Sequence, residues 1–152
     1  MKSLQDTYAP NNQCFGCGPS NPQGLQIKSM VEGDVVVASF VPKSYHQAFD
    51  NVLSGGICGT LLDCHSNWCA AYFIMEKRGE KNPPCTVTAR YAVNLLLPTP
   101  MDKALTLTAK PKLVTDRKAE IIAELSAHGK VTATCEGLFV AVQPGHPAYH
   151  RW

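Results

Sequence analysis

Asp63 is the residue of this sequence whose chemistry most needs an explanation. It is the only acidic residue between Asp50 and Glu76, in a proline-free and mostly apolar segment that begins at Ser54. That segment has the pattern of one long helix, from Ser54 to about Glu76. A carboxylate buried in such a helix is costly, so it requires hydrogen-bond donors, a counter-charge or a pocket that holds water.

The residues around Asp63 leave two interpretations open. At helical spacing, one face of the helix carries small and polar residues, namely Gly56, Gly59, Thr60, Asp63, Ser66, Asn67 and Ala70. Such a stripe leaves space beside the carboxylate, which suits a pocket in which Asp63 acts on a substrate. In the structural alternative, Asp63 bonds to backbone or to Asn67 across a tight contact between two helices of a dimer. Residue types and spacing alone give these two interpretations equal weight.

The start of the helix is a second candidate site, at Ser54, Gly55 and Gly56. Backbone N–H groups at a helix N-terminus have no partner within the helix, and glycines let a ligand approach them. They are therefore candidates for an oxyanion hole, which holds a carbonyl oxygen as it becomes negative. A capped helix with glycines chosen for close packing is the more common reason for this tripeptide.

Two cysteines, Cys14 and Cys17, have the Cys-x-x-Cys spacing of many metal sites. Structural zinc takes four ligands and no second pair stands out, so we expect a turn with buried thiols, no metal and no other cofactor. Cys64, His65 or Cys135 would complete a metal site only if the fold happened to bring them there.

Neither histidine near Asp63 is predicted to act with it. His65 points about 200° around the helix from Asp63, because successive helical residues turn by about 100°. His46 lies in the loop before the helix and is able to approach the pocket, but a lone histidine in a loop is generally solvated. The basic pair Arg117 and Lys118 falls at a turn between strands, where such residues are usually just exposed.

The remaining elements predict a sheet that surrounds this helix. Residues 9–24 are dense in Gly, Pro and Asn, so they predict a turn-rich lead-in with the regular fold starting after Gly24. Strands are predicted for 25–31, 35–41, 86–97, 105–114, 118–128 and 130–142, with 43–53 as a loop. In the strand 86–97, alternation places Val87, Ala89, Tyr91, Val93, Leu95 and Leu97 on one side. The order of two strands, a long helix and four strands indicates an α+β hotdog-like architecture, an antiparallel sheet of five to six strands wrapped around a central helix.

Length and composition exclude several classes of protein. The 152 residues predict one domain, with 1–24 as lead-in and 143–152 as tail. The formal charge of +2 is spread over 14 basic and 12 acidic residues, so no nucleic-acid groove is expected. The sequence shows neither a membrane-spanning stretch nor a secretory signal, which predicts a soluble cytoplasmic protein with its seven cysteines reduced.

Three segments together resemble the hotdog-fold acyl-CoA thioesterases of the phenylacetate-degradation type. They are CFGCGPSNPQGL from Cys14, VLSGGICGTLLDCHSNWCA from Val52, and VTARYAVNLLLPTP from Val87. The three segments follow one another in the family's order and spacing, and the similarity runs from about Cys14 to Val142, nearly the whole chain. The resemblance implies hydrolysis of an acyl-CoA thioester to a free acid and coenzyme A, and it favours a catalytic role for Asp63.

The resemblance also implies a role for each matching position. Asp63 matches the acidic residue that acts as general base or nucleophile, while the amides of Gly55 and Gly56 would polarise the thioester carbonyl. Thr88 matches a hydroxyl residue that reaches the pocket from the neighbouring subunit and orients the attacking water. Coenzyme A phosphates would lie near basic residues on strand turns, for which Arg117 and Lys118 are unspecific matches.

One departure from the family pattern bears on activity. The family commonly has His-Gly-Gly at the helix start, and the histidine position is Ser54 here. Serine is able to cap the helix and donate one hydrogen bond, but it carries no charge. An acyl-CoA binding module without catalysis is therefore a second hypothesis, and a dehydratase or hydratase is a weaker third.

A homodimer is expected as the minimum assembly, or a tetramer, because the sheet leaves edges and a face to be covered.

Overall fold

A six-stranded antiparallel sheet packs against one long helix. The computed structural model describes residues 1–149 and 152. In chain order, its elements are α1 (Leu4–Tyr8), β1 (Met30–Glu32), β2 (Val35–Phe40), a 3-10 turn (Ser44–His46), β3 (Gln47–Phe49), β4 (Val52–Leu53), α2 (Gly55–Arg78), β5 (Thr86–Leu95), β6 (Leu105–Val114), β7 (Lys118–Ala127) and β8 (Lys130–Ala141). The sheet has the order β1-β2-β6-β7-β8-β5, while β3 and β4 pair separately.

The long helix α2 begins where the sequence predicts and extends two residues further. It has no proline, and it ends at Gly79, whose left-handed backbone (φ 67°) lets its N–H bond to the carbonyls of Met75 and Glu76. Lys77 and Arg78 in the last turn complement the negative end of the helix dipole. The four strands after the helix are also confirmed, each ending within two residues of its predicted limit.

The core lies between α2 and the sheet. Strand β7 alternates buried and accessible positions, as a strand with one covered face should. Several large side chains of the core are fully buried, namely Leu61, Leu62, Trp68 and Ile74 of the helix and Leu105, Leu107, Ile121, Leu125 and Phe139 of the sheet. Among the described residues, no helix combines the length and apolar character needed to cross a membrane.

The segment before the helix differs from the prediction in three places. Helix α1 precedes Gly24, capped by the Ser3 hydroxyl, so the regular fold begins earlier than expected. The strand predicted over 25–31 shrinks to β1, because the N–H groups of Leu25 and Ile27 bond to carbonyls of the lead-in rather than to β2. The predicted loop 43–53 contains the 3-10 turn and the β3–β4 pair. Residues 9–24 form neither helix nor strand, as expected.

The C-terminal tail is described in part. His150 and Arg151 lie outside the described residues. Trp152 stacks on Trp68 of α2, with ring centroids 4.5 Å apart and planes 18° from parallel. The last residue of the tail therefore packs on the core of its own chain.

A β-bulge in β5 changes which side chains face the helix. The pairing with β8 shifts between Thr88 and Arg90, so that Thr88 lies opposite Phe139 and Tyr91 lies opposite Gly137. Phe139 and Gly137 are buried positions of β8 two residues apart, so Thr88 and Tyr91 share the helix-facing side although they are three residues apart. The predicted alternation placed Val87 and Ala89 on that side and is wrong for both, because Val87 lies opposite Val140 on the other face and Ala89 is the bulged residue.

Candidate active site

Asp63 lies midway along α2 and faces β5. Its side chain is half-buried, and Thr88 Oγ1 donates a hydrogen bond to Asp63 Oδ1 over 2.6 Å. Such a short distance is typical of a hydroxyl bonded to a charged carboxylate. The resemblance implied that Thr88 enters from a neighbouring subunit. The structure instead places it against Asp63 of its own chain, because β5 runs alongside α2 and the bulge turns Thr88 inwards.

The next helical turn repeats this pairing. Thr86 Oγ1 donates to Asn67 Oδ1 over 2.7 Å, so Asn67 is held by β5 as well. On the neighbouring strand, burial and the negative charge of Asp63 raise the pKa of Cys135 to about 11. That thiol therefore stays protonated near neutral pH and does not act as a nucleophile beside Asp63.

Towards the start of α2, glycines face large side chains of β5. A Cβ built on Gly59 would lie 4.0 Å from the Tyr91 hydroxyl, and one on Gly55 would lie 3.0 Å from Leu95 Cδ1. The small-residue face predicted from the sequence is thus the face along which β5 lies. Sequence reasoning missed Tyr91 and Leu95 as site residues, because a single sequence carries no signal for the bulge that sets the alignment of β5.

The N-terminus of α2 opens into an apolar groove. Gly55 and Gly56 are exposed, and Ser54 is the N-cap by backbone position, but its side chain makes no capping hydrogen bond, contrary to expectation. A cavity of about 360 Å³ adjoins Gly55. Its other lining residues are mainly apolar, and they include Phe49, Leu95, Leu96, Leu97 and Pro98. The first residue of the helix therefore lies beside a groove that suits an apolar ligand.

The two candidate features lie well apart on one chain. Eight residues separate Gly55 from Asp63, which is about 12 Å along the helix axis. Tyr91 lies over Gly59, midway between them. One chain therefore does not bring the helix amides and the carboxylate to the same point.

The basic pair predicted for phosphate binding lies at the opposite end of α2. Arg117 lines a polar groove of about 730 Å³ together with Arg78, Glu80 and Asp116. Lys118, at the start of β7, is exposed but is not part of that lining. Arg78, which the sequence analysis did not single out, lies in the groove because its Nε donates to the carbonyl of Asp116 over 2.7 Å.

Neither histidine is positioned to act with Asp63. His65 is fully buried, with Nδ1 2.9 Å from Ser29 Oγ and Nε2 2.9 Å from the Val36 carbonyl. Burial lowers the pKa of His65 to about 4, so its ring is neutral near pH 7. His46 is buried rather than solvated, its Nδ1 accepts from the Lys43 N–H, and burial lowers its pKa as well.

Three cysteines form a cluster, although the spacing of the cysteines in the sequence predicted no metal site. The Sγ atoms of Cys14, Cys17 and Cys64 lie within 4.8 Å of one another. Hydrogen bonds from the other two thiols, and from the N–H groups of Cys17 and Gly16, lower the pKa of Cys14. Hydrogen bonding with Cys14 raises the pKa of Cys64. Cys14 is exposed and the other two are buried.

Comparison with known proteins identifies the fold. No family model matches the chain, and no curated protein matches it. A thioesterase superfamily protein from Shewanella loihica has 29% identity and a TM-score of 0.71, over 91% of this chain and 99% of that one. A putative thioesterase from Ralstonia eutropha, related to phenylacetic acid degradation, has 16% identity and a TM-score of 0.67, over 83% and 92%. The E. coli PaaI protein from the phenylacetic acid degradation operon has 15% identity and a TM-score of 0.64, over 78% and 81%. The resemblance that the sequence shows is confirmed, and the chain has the α+β hotdog fold of the thioesterase superfamily.

Proposed function

We propose that this chain hydrolyses acyl-CoA thioesters to a free carboxylic acid and coenzyme A, with Asp63 as the reacting side chain. The observation that carries the proposal is the 2.6 Å hydrogen bond from Thr88 to a half-buried carboxylate on the small-residue face of α2. The names of the similar solved structures support a reaction of the thioesterase type.

Asp63 has two chemical routes to the products. As general base, it takes a proton from water while the water oxygen bonds to the thioester carbonyl carbon, after which the C–S bond breaks and the departing sulfur takes a proton. As nucleophile, a carboxylate oxygen bonds to that carbon and expels the thiolate, and water then hydrolyses the resulting anhydride. In both routes Thr88 fixes the orientation of the carboxylate.

The helix start is proposed to stabilise the negative charge that develops on the carbonyl oxygen. The N–H groups of Gly55 and Gly56 lie at the positive end of the α2 dipole, and Gly55 lines the apolar groove. Ser54 is proposed to donate a hydrogen bond to the same carbonyl from its hydroxyl. A single amide donor of this kind is worth about 10²–10³ in kcat.

The distance between Gly55 and Asp63 along the helix is our reason for proposing a site built by two chains. A base, acting through one water, and an oxyanion donor must both reach the same carbonyl group at hydrogen-bond distances. About 12 Å along one helix, with Tyr91 in between, is too far for that. We therefore propose that Asp63 and Thr88 of one subunit act with Gly55 and Gly56 of the partner subunit.

The edge of the sheet supports this pairing of two chains in a homodimer. Strand β5 ends the sheet order, and it carries exposed apolar side chains at Tyr91 and Leu95, continued by Leu96 and Leu97. If β5 pairs antiparallel with the same strand of a second copy about an axis at Tyr91, the bulge at Ala89 places the partner's Val93, two residues before its Leu95, opposite Thr88. The partner's helix start then lies near Asp63. A tetramer would be two such dimers.

Basic residues at the far end of α2 are proposed to contact the phosphates of coenzyme A. Arg117 and Arg78 share one polar groove, and Lys118 lies next to Arg117 in sequence. Guanidinium groups suit phosphate because they present several N–H donors in one plane.

The deciding experiment measures thiol release from short, long and aromatic acyl-CoAs by wild-type protein and by Asp63→Asn. We expect kcat to fall by about 10²–10⁴ with the fold retained. Asp102→Asn is the matched control, since Asp102 is an exposed aspartate paired with His128. Thermal melts accompany each assay. Folded Asp63→Asn protein with wild-type turnover would refute the assignment.

A binding module of the same fold is the second candidate. Ser54 stands where the family commonly has histidine, and its hydroxyl does not cap the helix. Mass spectrometry of the protein mixed with acyl-CoAs separates the two, because a binder retains intact thioester and an enzyme releases thiol. The dehydratase alternative is not favoured, because His65 is engaged with Ser29 and Val36 rather than with Asp63.

A further inference from the structure

Cysteines from two distant segments meet beside α2. Cys14 and Cys17 belong to the lead-in, and Cys64 belongs to the helix. Their Sγ atoms lie within 4.8 Å of one another, and those of Cys14 and Cys64 are 3.8 Å apart. Within residues 1–149 and 152, this is the one group of three or more potential metal-ligating side chains that converges in this way.

We propose that Cys14, Cys17 and Cys64 bind a thiophilic divalent cation, Zn²⁺, with water as the fourth ligand. Tetrahedral zinc with Zn–S bonds of about 2.3 Å places its sulfur ligands about 3.8 Å apart. The Cys14–Cys64 separation already has that value. The other pairs, at 4.8 Å or less, reach it through small side-chain rotations. Cys14 is exposed, so water has access to the open position.

The backbone around the cluster allows the lead-in and α2 to approach each other closely. A Cβ on Gly16 would lie 2.2 Å from Cys64 Sγ, so only glycine lets the Cys-x-x-Cys turn sit against the helix. Trp68 Nε1 donates to Cys17 Sγ over 3.3 Å. Donors of this kind surround metal-bound sulfur, since they stabilise its negative charge and fix its orientation.

A simple disulfide explains the arrangement less well. A disulfide needs two sulfurs about 2.05 Å apart, so the Cys14–Cys64 pair would have to close by almost half its present separation. It would also leave the third thiol of the cluster without a role. Zinc uses all three. On binding, each thiol releases its proton to solvent and its sulfur lone pair forms the metal bond, with no oxidant or reductant required.

The test is metal binding by the reduced 152-residue chain, measured without any turnover assay. Apo protein is titrated with Co²⁺, which replaces Zn²⁺ and gives sulfur-to-cobalt charge-transfer absorption when thiolates bind it. We expect one Co²⁺ per chain, displaced by Zn²⁺. Cys14→Ser should weaken binding by about 100-fold or more, because one of three strong ligands is lost. Cys14 is exposed, so this variant keeps the fold, which circular dichroism verifies.

Cys85→Ser is the matched control, since Cys85 is half-buried and outside the cluster. It should bind Co²⁺ as the wild type does. Absence of charge-transfer absorption in the reduced wild type, or equal affinity of wild type and Cys14→Ser, would overturn the proposal. So would native mass spectra that show a disulfide between these cysteines and no metal uptake after reduction.

Discussion

Replacing Thr88 by valine tests whether the orientation of Asp63 matters. Valine has nearly the shape of threonine but removes the hydroxyl that donates to Asp63 Oδ1 over 2.6 Å. Hydrogen bonds to charged groups contribute about 1.5–3 kcal/mol. Asp63 is half-buried, so water replaces part of the lost bond, and we expect a net cost of about 1–2 kcal/mol.

That cost predicts two measurable changes. In a chain of this size, each 1 kcal/mol lowers Tm by about 2–4 °C, so Thr88→Val should melt about 2–8 °C below wild type. If the bond orients the carboxylate in the transition state, the same energy corresponds to a kcat about 5- to 30-fold lower. The KM should change little, because Thr88 holds Asp63 rather than the substrate.

The assay is thiol release at saturating acyl-CoA, run beside thermal melts. Thr88→Ser keeps the hydroxyl and should retain most of the wild-type kcat. Thr106→Val makes the same chemical change at an exposed position of β6 and should affect neither quantity. A Thr88→Val protein with wild-type kcat and Tm would show that the bond is dispensable and that our account of how Asp63 is positioned is wrong.

Further predictions concern the start of α2, the polar groove at Arg117, the thiol cluster and α1. Gly55→Pro should lower kcat by about 10²–10³, because it removes one amide donor at the first helical position, where proline is accepted. Gly55→Ala, which keeps the N–H, should stay near wild type. Arg117→Ala should raise KM for acyl-CoA but not for an acyl-cysteamine thioester without phosphates; equal effects would contradict phosphate binding. Zinc at about 100 times its Kd should stabilise the protein by about 2.7 kcal/mol, and a chelator should reverse the rise in Tm. Hydrogen bonds from Lys28 and Ser3 lower the pKa of Asp6. Asp6→Asn should therefore cost less than about 1 kcal/mol in urea unfolding near pH 7, and this cost should shrink as the pH falls through the lowered pKa of Asp6.

Much of the fold follows from local patterns in the sequence. The helix α2 and the strands after it are set by hydrophobic period and by Gly and Pro at their ends, which a single sequence displays. The strand predicted over 25–31 was wrong because the lead-in competes for its backbone hydrogen bonds. Such competition depends on tertiary contacts that no local pattern reports.

Asp63 was predictable as a candidate from the sequence, but the side chains around it were not. Asp63 stood out because an acidic residue in an apolar helix is unusual. Its partner in the chain depended on one extra residue in β5, the bulge at Ala89, which moves Thr88 to the helix side. The thiol cluster was equally hidden, since Cys14 and Cys64 are 50 residues apart and only the folded lead-in brings them together.

The polar residues of α2 differ in which part of the fold forms hydrogen bonds with them. His65 is held by the segment from Ser29 to Val36, and Asn67 by Thr86. Both pairs are fully enclosed, so they serve the packing of helix against sheet. Asp63 differs because it keeps partial access to solvent and because the turn before it carries Gly59 in place of a filling side chain. Partial access to water lowers the cost of holding a charged carboxylate in any role, and a residue proposed to take a proton from water also requires that access.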